Sequence, residues 1–101
     1  MNGEISFLYV IGERKQKENL ISALAANGAT VFSVIYGRGF VKSNEILKAF
    51  GLVSEEDKVV ITCLIKKIDC DKAFAVLNED FKFDRPNTGI AFTVPVENLK
   101  Y

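Results

Sequence analysis

The chain contains no histidine, and its 101 residues include only two cysteines, Cys63 and Cys70. Without histidine, a zinc site with imidazole ligands and a histidine-dependent catalytic triad are close to excluded. One cysteine falls within a predicted strand and the other at the start of a predicted helix, so both are expected to be buried, reduced thiols. We therefore predict neither a metal site nor catalytic residues.

Net charge and long apolar segments are lacking as well. Thirteen basic and thirteen acidic residues give a formal net charge of zero, so no global field attracts nucleic acid or an anionic membrane. No segment approaches the roughly 20 apolar residues that cross a bilayer, and no basic region precedes an apolar run at the N-terminus. The expected location is the cytoplasm, and residues 1–101 are expected to form a single domain.

Four apolar segments predict the strands of that domain. They are rich in Val, Ile, Phe and Thr, the residues that suit a pleated and half-buried surface. The predicted strands cover residues 4–12, 30–36, 59–65 and 90–96. Because Pro95 has no N–H to donate to a neighbouring strand, the last strand is expected at an edge of the sheet or near its end there.

Apolar residues at helical spacing predict one helix between the first two strands and another between the last two. Leu20 and Leu24 share a face of the first helix, and Ala73 and Leu77 share a face of the second. Asp69 or Asp71 is the expected cap of the second helix. The resulting order predicts an α+β, ferredoxin-like βαββαβ sandwich, in which a four-stranded antiparallel sheet carries two helices on one face. Right-handed crossovers place strands one and three in the centre.

The second strand runs directly into Gly37-Arg38-Gly39. Glycines allow close approach to the backbone, and exposed N–H groups beside an arginine are what a phosphate-binding corner requires. A turn at the end of a strand also needs glycines, and its arginine can be incidental. The tripeptide by itself leaves both interpretations open.

The connection between the second and third strands, about residues 41–58, is far longer than a hairpin loop. It contains a predicted short helix at residues 45–50, and Ile46, Leu47 and Phe50 give this segment an apolar face. That face either packs on its own domain or docks on a partner protein.

Three classes of function are open to this fold, which hosts many activities. An RNA-binding domain is the first class. Residues 8–12 and 38–41 echo two aromatic RNA-stacking motifs, but the third strand has no aromatic residue and the net charge is zero.

A small enzyme is the second class, with Arg38 orienting a phosphate and Asp84 or Glu97 acting as a base. No nucleophile and base occur at a recognisable spacing, so a non-enzymatic function is predicted.

The third class is a regulator that senses a ligand, and here the sequence resembles a known family. Three segments look like the nitrogen-regulatory PII superfamily. They are GATVFSVIYGRG at residues 28–39, the middle that follows it with SNEIL and an LG-like pair, and the ending TGIAFTVPV at residues 88–96. The short PII-like proteins are the most similar subgroup. The resemblance extends from the first strand to Val96.

This resemblance implies a homotrimer that binds adenine nucleotides in the clefts between subunits. It also implies that residues 41–58 form a T-loop that docks on a partner such as a membrane transporter or metabolic enzyme. Matching the family residue by residue assigns ten residues to the nucleotide site. They are Thr30, Gly37, Arg38, Gly39, Lys58, Thr62, Leu64, Asn87, Thr88 and Gly89.

Two departures from the family pattern bear on the ligand. Ile90 stands where the family has a phosphate-binding lysine, and Gly39 stands where classical members have the glutamine used for 2-oxoglutarate. Since the loss of a cation weakens binding of the most highly charged ligand most, AMP or ADP is expected to bind in preference to ATP. No cofactor is expected to be required.

Overall fold

The computed structural model describes residues 4–36, 58–86 and 88–97 of the chain. Short 3-10 turns lead into both helices, at Arg14–Gln16 and Lys67–Asp69. The strands and helices are Ile5–Glu13 (β1), Lys17–Ala26 (α1), Thr30–Tyr36 (β2), Lys58–Lys66 (β3), Cys70–Phe81 (α2) and Ile90–Pro95 (β4).

The four strands form one antiparallel sheet in the order β2-β3-β1-β4. β1 and β3 are central, as right-handed crossovers predict, and β4 is an edge strand whose last residue is Pro95. The expected ferredoxin-like sheet order is therefore confirmed. Strand bounds differ from the predicted ones by one residue at most, which is the usual uncertainty at the ends of elements.

Both helices pack on the same face of the sheet and enclose the core there. Leu8 and Val10 of β1 alternate with residues of the other face, as β geometry requires, and meet Leu20 of α1 and Leu77 of α2. The core residues are apolar and almost entirely buried. They are Leu8, Val10, Leu20, Leu24, Ala29, Val59, Ile61, Cys63, Ile65, Ala73, Leu77 and Phe81.

Helix α1 ends at a glycine in the left-handed region. Gly28 has a φ of 101°, and the N–H of Ala29 donates to the carbonyl of Leu24 over 3.0 Å while that of Gly28 donates to Ala25 over 3.2 Å. This pair of bonds is a Schellman motif, which satisfies the last carbonyl groups of a helix. A Cβ at Gly28 would lie 2.6 Å from Oδ2 of Asp69, so the same glycine also permits a close approach to the start of α2.

Two local predictions need correction. Asp69 occupies the N-cap position of α2, but its side chain makes no capping hydrogen bond, and its carboxylate forms an ion pair with Lys72 over 3.5 Å instead. Cys63 is buried as expected, whereas Cys70 is only half-buried, because it opens the helix at the rim of the core. Among the described residues, no helix is long and apolar enough to cross a bilayer.

Candidate functional site

The face of the sheet opposite the helices, here called the open face, is lined by alternate residues of all four strands. Directly paired residues of an antiparallel sheet project to the same side, so the strand register places them in rows. From the β2 edge to the β4 edge the rows are Thr30, Leu64, Phe7 and Val94; Ser33, Thr62, Tyr9 and Phe92; and Ile35, Val60, Ile11 and Ile90.

Three aromatic rings occupy the β1 and β4 side of the open face. Tyr9 stacks on Phe92 with ring centroids 5.0 Å apart and planes 4° from parallel, and Phe7 meets Tyr9 at 5.8 Å. Phe7 and Val94 at one end of this group remain 38% and 43% exposed. A contiguous exposed apolar surface of this kind usually marks an interface.

Thr30, Thr62 and Leu64 come together on the open face near the β2 edge. Thr30 is directly paired with Leu64, and Thr62 belongs to the adjacent row, beside Ser33. Two hydroxyl groups and an apolar side chain thus share one end of the open face. This arrangement can hydrogen-bond and cover a flat heterocycle.

A β-bulge at Val31 makes this grouping possible. The register of β2 against β3 shifts between Thr30 and Ser33, and Val31 adopts a φ of 57°. Residues three apart on a regular strand face opposite sides, whereas the additional residue of a bulge brings Thr30 and Ser33 to the same side. Because a β-branched residue rarely adopts a positive φ, the local sequence contains no signal for this bulge.

Lys58 lies at the other end of the open face. It is paired with Glu13 of β1 and is only 8% exposed. Leu64 follows Lys58 by six positions along β3, which corresponds to roughly 20 Å along the strand. Lys58 is therefore not part of the group that Thr30 and Leu64 form.

Thr88 and Gly89 precede β4 at the same end of the sheet as Lys58. The hydroxyl of Thr88 donates a hydrogen bond to the carbonyl of Pro86 over 3.4 Å. β4 and β2 are opposite edges of the sheet, separated by three strand spacings or roughly 14 Å. Of the described members of the predicted nucleotide site, Thr30 thus lies on the β2 edge and Thr88 and Gly89 adjoin the β4 edge, and the others lie on the central strand β3.

The remaining predicted residues lie outside the described part of the chain. They include the glycine-arginine-glycine segment and the apolar face predicted for the connection. These residues are Gly37, Arg38, Gly39, Asn87, Ile46, Leu47 and Phe50.

A cationic cluster at the end of β2 was missed by the sequence reasoning. The ammonium group of Lys17 donates a hydrogen bond to the hydroxyl of Tyr36 over 2.9 Å, and the guanidinium group of Arg14 lies 4.6 Å from the centre of the Tyr36 ring. The Tyr36 hydrogen bond, followed by a hydrogen bond to Glu18, raises the pKa of Lys17. The charged run at residues 13–17 was visible in the sequence, but its partner 19 residues later was not.

Neither cysteine has the character of a nucleophile. Burial raises the pKa of the Cys63 thiol to about 11, and burial together with the carboxylates of Asp71 and Asp69 raises that of Cys70. Reactive cysteines need a lowered pKa. Over residues 4–36, 58–86 and 88–97, no three potential metal ligands cluster together.

No protein-family model and no curated protein matches the sequence. Solved structures do match the fold. The apo form of CPII, a nitrogen regulatory PII-like protein from Thiomonas intermedia K12, superposes with a TM-score of 0.68 at 12% identity, covering 92% of this chain and 89% of that chain. The chain has the PII-like fold.

Two further PII-like structures extend the comparison. A PII-like signalling protein from Thermus thermophilus has a TM-score of 0.66 at 13% identity, covering 93% of this chain and 87% of that chain. The ATP complex of GlnK from B. subtilis has a TM-score of 0.59 at 20% identity, covering 95% and 84%. CPII has been solved with ADP, AMP and bicarbonate bound. At these identities the similarity to PII-like proteins is one of fold.

Proposed function

We propose that this protein is a non-enzymatic, PII-like regulator in the cytoplasm. It binds an adenine nucleotide between the subunits of a homotrimer and signals occupancy to a partner through residues 41–58. The observation that carries the proposal is that Thr30 lies at the opposite edge of the sheet from Thr88 and Gly89, in a sheet whose open face carries neither of the two described helices.

The open face supports self-association. Apart from Thr30, Ser33 and Thr62, the side chains of its three rows are aromatic or aliphatic, and both described helices lie on the other side of the sheet. Burying this surface against copies of itself removes apolar area from water at about 25 cal/mol per Å². A closed symmetric assembly also leaves no copy of the open face exposed.

A site between subunits also accounts for the division between edges. Within one chain, Thr30 lies on the β2 edge, whereas Thr88 and Gly89 precede β4 on the far edge. A neighbour that brings its β4 edge next to the β2 edge of the first subunit places both halves around a single cleft. The assembly is therefore required for the site to be complete.

The two ends of the open face suit the two ends of a nucleotide. Thr30, Thr62 and Leu64 at one end provide hydroxyl groups and apolar cover for an adenine ring. Lys58 and the backbone at Gly89 lie at the other end, where β2 also leads into residues 37–39. Cations and glycine N–H groups are suited to phosphates.

AMP and ADP are the proposed ligands. CPII, which has this fold, was crystallised with both. In the present chain Gly89 is followed by Ile90, whereas the family pattern has a phosphate-binding lysine at this position. ATP, with the most phosphate charge, loses the most from that replacement.

The proposed output is a change in residues 41–58. Ligand phosphates at Gly37 and Arg38 would select one conformation of the connection that follows them. Ile46, Leu47 and Phe50 would then dock on a membrane transporter or a metabolic enzyme. An RNA-binding function is less well supported, because the open-face residues of β3 include no aromatic ring on which a base would stack.

Calorimetric titration of the purified protein with AMP, ADP, ATP and cyclic AMP, with Mg²⁺ where relevant, tests the proposal. We expect saturation near one ligand per subunit, and weaker binding in Arg38→Ala and Lys58→Met. Lys72→Met is the matched control, since Lys72 lies on α2 and pairs with Asp69, and it should bind as the wild type does. The absence of heat with every nucleotide at several temperatures would refute nucleotide sensing.

A further inference from the structure

Phe83 lies against two glycines at one end of the sheet. A Cβ at Gly89 would lie 2.4 Å from Cζ of the Phe83 ring, and a Cβ at Gly12 would lie 3.6 Å from the same atom. Real Cβ atoms do not approach other atoms as closely as 2.4 Å, so the ring takes the space that a side chain at residue 89 would need. Phe83 thus packs directly on the backbone that leads into β4.

The end of α2 sets the position of this ring. Lys82 has a φ of 62°, and the N–H groups of Lys82 and Phe83 both donate to the carbonyl of Leu77, the latter over 3.1 Å. The N–H of Arg85 then donates to the carbonyl of Lys82 over 3.0 Å and closes a turn. This hydrogen-bonded reversal holds the Phe83 backbone while its ring packs against the core cluster.

A cavity of about 240 Å³ lies beside the ring. It is lined by Phe83 and Gly89 together with Phe74, Leu77, Asn78, Ile90 and Ala91. Phe83 therefore meets backbone at the glycines but has open space beside it.

We propose that Phe83 is a positioning residue for the phosphate end of the nucleotide site. Its ring holds the backbone of Thr88 and Gly89 against the end of β1, so that their N–H groups keep a fixed orientation towards the ligand. This inference rests on the proposed function, in which these residues contact phosphate. Phe83 itself touches the loop and not the ligand.

Binding of ADP and adenosine tests this role. In Phe83→Leu, ADP affinity should fall about tenfold, the equivalent of one weakened hydrogen bond to a charged group, while adenosine affinity stays unchanged. Phe74→Leu is the matched control, because Phe74 lines the same cavity and packs on the same core, and it should leave both affinities unchanged. Equal loss of ADP and adenosine affinity in Phe83→Leu, or equal loss of ADP affinity in the two variants, would overturn the proposal.

Backbone relaxation of the loop provides a readout that needs no ligand. We expect the ¹⁵N order parameters of Thr88 and Gly89 to fall from about 0.85 towards about 0.6 in Phe83→Leu and to remain high in Phe74→Leu. Unchanged order parameters in Phe83→Leu would overturn the proposal. If the wild type binds neither ADP nor adenosine, the proposed function fails, while this measurement still decides whether Phe83 holds the loop.

A double variant separates the contact from a general loss of packing. Leucine lacks the ring atoms that a Cβ at residue 89 would strike. Gly89→Ala should therefore weaken ADP binding strongly in the wild type and much less in the Phe83→Leu background, as expected for residues in direct contact. If the two substitutions instead acted independently, their fold-losses of ADP affinity would multiply in the double variant. That result would contradict a role exerted through this contact.

Discussion

The ammonium group of Lys17 donates a hydrogen bond to the hydroxyl of Tyr36 over 2.9 Å and thereby joins the start of α1 to the last residue of β2. Arg14 faces the ring of the same tyrosine at 4.6 Å, so two cations surround it. Tyr36 directly precedes Gly37 and Arg38. The cluster therefore supports the end of β2 from which the proposed signalling connection departs.

Tyr36→Phe should lower the pKa of Lys17. The hydrogen bond to Tyr36 is the first cause of the raised pKa, so its removal leaves mainly the contribution of Glu18. An NMR titration of the Lys17 side chain measures the change. Tyr9→Phe, which removes a hydroxyl group from the open face, is the control and should leave the Lys17 titration as it is. An unchanged Lys17 titration in Tyr36→Phe would show that this bond is absent in solution.

Val94→Glu should dissociate the proposed trimer without unfolding the subunit. Val94 is 43% exposed in the single chain, so a carboxylate there stays solvated in a monomer but would be buried between subunits. Sedimentation velocity should give three times the 11.2 kDa of the chain for the wild type and about the monomer mass for the variant. Ile68→Glu is the control, since Ile68 is 81% exposed in a turn outside the sheet. A trimer that survives Val94→Glu would exclude the open face as its interface.

Gly28→Ala should destabilise the fold by about 1 to 3 kcal/mol, because alanine is strained at a φ of 101° and its Cβ would strike Asp69. Denaturant unfolding measures the loss. Adding Asp69→Ala should recover the part due to the clash but not the part due to φ. A Gly28→Ala variant as stable as the wild type would mean that this turn relaxes without cost.

The Cys63→Ala variant should lose less stability than the wild type as the pH rises through the alkaline range. The thiol has a pKa of about 11 when folded and an ordinary value of 9.0 when unfolded, so the folded state holds its proton more tightly. The stabilisation from this thiol is fully present below pH 9 and decreases as the pH rises towards 11, by up to about 1.4 kcal/mol per pH unit. Urea unfolding across this alkaline range should therefore show a steeper decline for the wild type than for Cys63→Ala. Parallel declines would show that Cys63 does not cause this pH dependence.

The secondary structure could be predicted where local preference and burial favour the same state. β2 has the bounds 30–36 that the sequence predicts, because its β-branched and aromatic residues favour a strand throughout. The start of β4 at Ile90 likewise follows a loop of proline, asparagine and glycine. Sequence reasoning failed where tertiary contacts override local preference, as at Val31 in the bulge.

For the candidate site, the sequence proposes the residues but does not give their arrangement in space. The spacing of Thr30, Thr62 and Leu64 contains no indication that they meet, because their pairing depends on the strand register and on the bulge. The contact between Phe83 and Gly89 was missed for a similar reason. A phenylalanine near the end of a helix is common, and only the reversal at Lys82 directs this one to the glycine.

The sequence by itself determined the βαββαβ order, the central position of β1 and β3, and the absence of histidine chemistry. These properties follow from hydrophobic periodicity, crossover handedness and composition, all of which are present in the linear chain. Only the tertiary structure decided that Thr30 lies at the opposite edge of the sheet from Thr88 and Gly89. It alone also decided that Tyr36 is held by Lys17 and that Phe83 packs on Gly89. Each of these depends on distances between segments far apart in sequence, which become defined only when the core between sheet and helices closes.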